Sequence, residues 1–165
     1  MPILSLPEAR AALSLRDADD ERDALIVEFC AGVDAVVEGY LGDWVVAREV
    51  TIDAPASGVL PGRSVVSVVS GEYRDGSGAV DVSGMYVTDS GILATSDGSA
   101  LPSRPWRVTL QVGSDEVAAG IKRGAAEILV QAWATQRGGD APPAFLVPYR
   151  AAAWLDPHAL VGGFA

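Results

Sequence analysis

The chain has 165 residues, enough for one domain, and a fold of this size buries roughly 70% of the surface its unfolded chain exposes. Hydrophobic residues at 49% and charged ones at 21% make it too apolar to stay disordered. Its 22 acidic against 12 basic side chains, a formal charge of -10, disfavour a protein that grips nucleic acid through phosphates, and a single cysteine excludes an internal disulfide framework.

From the N-terminus, Pro2, Pro7 and Glu8 without a basic start do not read as a signal peptide, and no apolar run approaches the roughly twenty residues of a membrane span. Synthesis in the cytoplasm is expected. Ser5 and Glu8 form an S-x-x-E capping box, which predicts a short helix over 6–15. Asp17, Asp19, Asp20, Glu21 and Asp23 then crowd the start of a second helix over 20–41, where the positive end of the helix dipole favours carboxylates. Leu25, Phe29, Val33, Val36, Val37 and Tyr40 form its stripe, widened by Ile26, Cys30 and Leu41, and Gly42 stops it.

From 44 to 112 the residues turn β-branched, broken by Gly, Pro, Ser and Asp, which predicts strands near 45–52, 65–74, 85–87 and 106–112 with a turn at Asp75-Gly76. Trp106, Val108, Leu110 and Val112 alternate with polar residues, so one face of the last strand is expected inside. Ser114 caps a third helix over 114–137, striped by Ile121, Ala125, Ile128, Leu129, Ala132 and Trp133 and closed by Gly138-Gly139. Pro142-Pro143 stiffens the chain beyond that helix, and an apolar tail carries Tyr149, Trp154, Leu155, Leu160 and Phe164. The fold class expected is α+β: a helical bundle of one short and two long helices, a β-strand-rich insertion between the long ones, and an extended C-terminal tail. One domain is expected over 1–150, with the tail over 151–165.

Residues that could carry chemistry have plainer readings. Asp17, Asp19, Glu21, Asp23 and Glu28 match the acidic spacing of a calcium loop, but Arg22 stands where its sharp turn requires Gly. Cys30 falls within the apolar stripe and reads as core. His158 is the only histidine, and it lies in the tail. Gly76, Gly78 and Gly84 lie among strands, with no phosphate-loop pattern. Asp81, Asp89 and Asp97 sit in turn-like contexts, and Trp44, Trp106 and Trp133 read as packing residues. No catalytic residue, cofactor or metal is expected. A small enzyme or ligand-binding module with a pocket between helices and sheet is the alternative.

An ordered set of motifs spans nearly the whole chain. It comprises Leu4-Ser5-Leu6 with Glu8-Ala9 and Leu13, then Val37-Glu38-Gly39-Tyr40-Leu41-Gly42, and Leu60-Pro61 before the strand from Val65 to Val69. Tyr73-Arg74-Asp75-Gly76, Gly91-Ile92-Leu93, Ile121-Lys122 and Pro148-Tyr149-Arg150 complete it. In this order the chain resembles the head-to-tail connector proteins (adaptor, or head completion, proteins) of long-tailed double-stranded DNA phages.

The resemblance implies a non-catalytic virion protein at the head-tail junction. It would form a dodecameric ring under the portal protein, touch neighbouring subunits and the next connector or tail component, and surround a channel through which genomic DNA passes without sequence-specific binding. In that family the C-terminal segment docks on the portal. Tyr149 and Arg150 match the terminal motif, and Trp154, Leu155, Leu160 and Phe164 join them as expected portal or partner contacts. The chain departs from shorter members in its larger β block and in residues 151–165. Another tail-completion or stopper protein would be mostly strands, against which the long helical patterns argue.

Overall fold

In the computed structural model, which describes residues 2–16, 19–136 and 147–159, the first helix α1 (Leu6–Ala12) starts at a capped end. The Glu8 carboxylate accepts from the Ser5 amide at 2.8 Å and from its hydroxyl at 2.6 Å. The helix stops short of the expected Leu15 because Ser14 adopts φ 57°. There the Ser14 amide bonds Ala11 and the Leu15 amide bonds Arg10, a Schellman turn with serine in the usual glycine position.

Helix α2 (Asp20–Leu41) is capped by Asp19, whose carboxylate accepts from the Arg22 amide at 3.2 Å, and it ends on Gly42 at φ 67°. Its buried line is Ile26, Cys30, Val33, Val37 and Leu41, whereas Val36, expected in the stripe, is exposed. Both sets obey helical spacing. Which flank lies inside is decided by the neighbouring helices.

Asp43–Asp115 forms a compact unit with its own core. Strands β1 (Arg48–Asp53), β2 (Val65–Tyr73) and β5 (Trp106–Val112) make an antiparallel sheet in the order β1-β5-β2, and β3 (Met85–Val87) pairs with β4 (Leu93–Thr95). Central β5 alternates: Trp106, Val108, Leu110 and Val112 are buried and pack with Leu60, Val80 and Leu93. Each fully buried aliphatic there contributes about 1.5–3 kcal/mol relative to exposure. On the opposite face the Thr51 and Thr109 hydroxyls lie 2.9 Å apart across the strand pair. Asp43 fastens the loop before β2, its carboxylate accepting from the amides of Trp44 (2.8 Å), Arg63 (2.8 Å) and Ser64 (2.9 Å) and from the Ser64 hydroxyl (2.7 Å).

The other unit comprises Met1–Gly42 with Glu116–Ala165. Helix α3 (Ala119–Gln136) begins later than the expected Ser114, because Ser114 is held in extended pairing: its amide bonds Val45 and its carbonyl accepts from Ala47. Helix α4 (Tyr149–Leu155) comes next, with a 3-10 turn over Asp156–His158. Phe29 of α2 meets Trp133 of α3 edge-on at 5.5 Å, and Lys122 of α3 reaches Glu8 of α1 at 2.8 Å. Arg10 of α1 holds Asp23 of α2 in a two-point ion pair.

The expected architecture is thereby corrected. Instead of a helical bundle of one short and two long helices with an extended tail, the described residues form a mixed α+β chain of four α-helices and five strands in antiparallel sheets. The physical reason lies in two features. The strand block buries enough apolar surface to stand as a compact unit, and residues 149–155 find an apolar groove on α3 that favours helix over extended chain. The expected stop at Gly138-Gly139 and the stiff Pro142-Pro143 segment lie outside the described residues.

Candidate partner-binding surface

Helix α4 is held by its own chain along one flank. Ala151 and Leu155, four apart, are both fully buried, and α3 makes room for them at Gly124 and for His158 at Gly120, one turn away. A Cβ added to Gly124 would stand 2.6 Å from Cγ of Leu155, and one on Gly120 would stand 2.7 Å from Nε2 of His158. Beyond the end of α4, the Tyr40 hydroxyl of α2 donates to Asp156, which pushes the Tyr40 phenol above its usual range.

The remaining flanks of α4 face outward. Tyr149 is 90% exposed and Trp154 40% exposed. The guanidinium of Arg123 on α3 lies over the Trp154 ring, 4.7 Å from its centroid, although Glu127 is available one helical turn on. Arg150, also exposed, precedes Trp154 by four residues and so shares its flank. The structure therefore brings Arg150 and Trp154 together and adds Arg123 to them. Leu155 is buried and anchors α4, while Leu160 and Phe164 lie outside the described residues.

Elsewhere, side chains with chemical potential are engaged in structure. Burial, with Asp34 nearby, pushes the Cys30 thiol upward, away from a reactive thiolate. Asp75, Asp81 and Asp97 each accept from the amide of the serine two residues on, at 3.0, 3.0 and 2.9 Å. These bonds, with the serine hydroxyls, lower all three carboxyls, Asp75 to about 2 with added help from Arg104. A general acid needs the opposite shift. Asp81 and Asp97 line an open cleft of about 400 Å³, and a second of about 430 Å³ lies over Thr51, Ser70 and Thr109. In the helical unit Asp19, Glu21, Arg22, Leu25, Trp133 and Gln136 line a cleft of about 600 Å³. Of the calcium-loop spacing, Asp17 lies outside the described residues, Asp19 caps α2 and Asp23 binds Arg10. Among the described residues no three His, Cys, Asp or Glu side chains gather as a metal site, and no helix is long and apolar enough to cross a membrane.

Sequence reasoning did not find helix α4 or Arg123. The signal for the first was present in Gly124, which lies against Ala151 and Leu155, and in Gly120 one turn away, which lies against His158. Arg123 carries no such mark, since its role depends on where α4 lies.

No protein-family model matches the chain, and no curated protein matches it by sequence. Solved structures do. A chain in the virion of a native gene transfer agent (GTA) particle aligns with a TM-score of 0.71 and 17% identity, covering 95% of this chain and 89% of that one. A chain in the neck of an empty GTA particle, computed with C6 symmetry, aligns at 0.68 and 15% identity with the same coverage of 95% and 89%. A third, in the neck of a native GTA particle computed with C12 symmetry, aligns at 0.59 and 14%, covering 96% and 93%. The likeness at these identities is one of fold, and the fold is that of chains in phage-like neck and virion assemblies. At that level it agrees with the resemblance to head-to-tail connectors.

Proposed function

We propose that this chain is a structural, non-enzymatic virion protein of the head-to-tail connector type. It docks under the portal as a ring, dodecameric as the resemblance implies, and extends the DNA channel toward the next connector or tail component. The observation that carries this reading is the likeness in fold over 95% of the chain to a chain of a GTA virion. Two properties support it. A net charge of -10 suits a wall past which DNA slides without sticking, and an outward aromatic-cationic surface on α4 suits an assembly contact. In this reading Tyr149, Arg150 and Trp154, with Leu160 and Phe164 beyond the described residues, meet the portal or an adjacent subunit, and the protein is made in the host cytoplasm before it joins the head.

The test is electron microscopy of portal-bearing heads mixed with the purified protein. A ring of added density beneath the portal is expected. Heads whose portals stay bare at saturating protein would sink the proposal, whereas a free protein that is monomeric before mixing would not, since the portal itself can template the ring.

A further inference from the structure

Ion pairing within the helical unit leaves charged groups over. Arg10 holds Asp23, Arg22 holds Asp19 and Lys122 holds Glu8. Arg123 and Arg150 have no carboxylate within salt-bridge range among the described residues, and both flank the exposed Trp154. Glu21, exposed on the first turn of α2, likewise has no cation within that range among the described residues, and the exposed Asp20 beside it feels Arg10 only from beyond that range. The two sets cannot meet within one chain. Glu21 lines the cleft with Trp133 and Gln136 at the far end of α3, and Arg123 lies about 15 Å back along that helix at 1.5 Å per residue.

We infer that the Arg123–Trp154–Arg150 patch is an interface for a second copy of this chain, whose α2 start presents Asp20 and Glu21 to it. The inference rests on the ring reading above and adds to it the surfaces that make the ring. Complementary patches at opposite ends of one group of packed helices produce a heterologous contact, which repeats from copy to copy and closes when the rotation allows. Trp154 supplies the apolar centre, and the two guanidiniums at its rim fix register by pairing with carboxylates and repelling a wrongly placed cationic surface. Arg123 is pre-positioned by its stacking on Trp154, so less side-chain freedom is lost on contact.

A charge-swap series on portal-bearing heads tests this, with copies per head counted by electron microscopy and folding followed by circular dichroism. Arg123→Glu with Arg150→Glu, and separately Asp20→Lys with Glu21→Lys, are each expected to raise at least tenfold the protein concentration needed to complete the ring. The variant carrying all four changes is expected to recover most of that loss. Ring formation unchanged by either pair overturns the inference and leaves the ring reading standing, as does a loss that the fourfold variant does not recover. Wild-type protein that binds the portal without forming a ring overturns the ring reading, and this inference with it.

Discussion

Ser14 occupies the left-handed region at φ 57°, where an L side chain costs about 1 kcal/mol, and it does so to close the Schellman turn of α1. Ser14→Gly removes that strain but frees the unfolded chain, so a net gain of about 0.5 kcal/mol is expected, read as a higher urea midpoint with an unchanged slope. Asp43 carries the opposite kind of leverage. Four donors converge on its carboxylate, three of them backbone amides that would lose their partner. Asp43→Ala is expected to cost about 2 kcal/mol, and Asp43→Asn, which keeps a carbonyl acceptor without the charge, clearly less. Equal losses in the two variants, measured by denaturant titration, would mean that a neutral acceptor does not hold the loop and that the carboxylate's charge carries the whole effect.

At the scale of elements, α4 stands or falls with one contact. Leu155 is fully buried where Gly124 leaves no room for a side chain, so Leu155→Ala is expected to cost about 3 kcal/mol and Gly124→Val about 2 kcal/mol by overpacking. The two should not add. Valine at 124 occupies part of the space that Leu155→Ala empties, so the double variant is expected to be more stable than the sum of the losses by about 1 kcal/mol, which a double-mutant cycle measures. This contact also marks where sequence reasoning stops. The Gly42 cap, the turn at Asp75-Gly76 and the alternation of Trp106 to Val112 were legible because each is decided by a few neighbouring residues. Helix α4 was not, since its apolar residues look like a tail until the groove of Gly120 and Gly124 is placed beside them. The late start of α3 was hidden for a related reason: Ser114 has the chemistry of a cap, but pairing with Val45 and Ala47 claims its backbone first. Of the contact surface, Tyr149, Arg150 and Trp154 could be named from their types and positions, whereas Arg123 joins them only through tertiary placement.

Across the whole molecule, charge sets how stability responds to pH, and the two limbs have different owners. On the acid side, Lys122 and Ser5 hold Glu8 at about 2, Arg10 lowers Asp23, and the serine turns lower Asp75, Asp81 and Asp97. Folded values below the unfolded ones contribute stability that is present above roughly pH 4.5 and is lost as pH falls toward 2. Relief of self-repulsion from the charge of -10 acts the other way over the same range, so the decline should begin gently and steepen below about pH 4. On the alkaline side the shifted groups are the buried Cys30 thiol and the Tyr40 hydroxyl bonded to Asp156, both on α2 in the helical unit. Their folded values are raised, so the stability they contribute is complete below their unfolded values of 9.0 and 10.0 and is lost as pH rises through the folded ones. Melting temperatures measured by circular dichroism from pH 2 to 11 should therefore show a plateau near neutrality and a fall on each side. Cys30→Ala is expected to delay the alkaline fall and Tyr40→Phe to flatten it further, each leaving the shape of the acid limb intact. An alkaline fall of unchanged onset and slope in the double variant would remove both groups from this account and move the source of alkaline instability off α2.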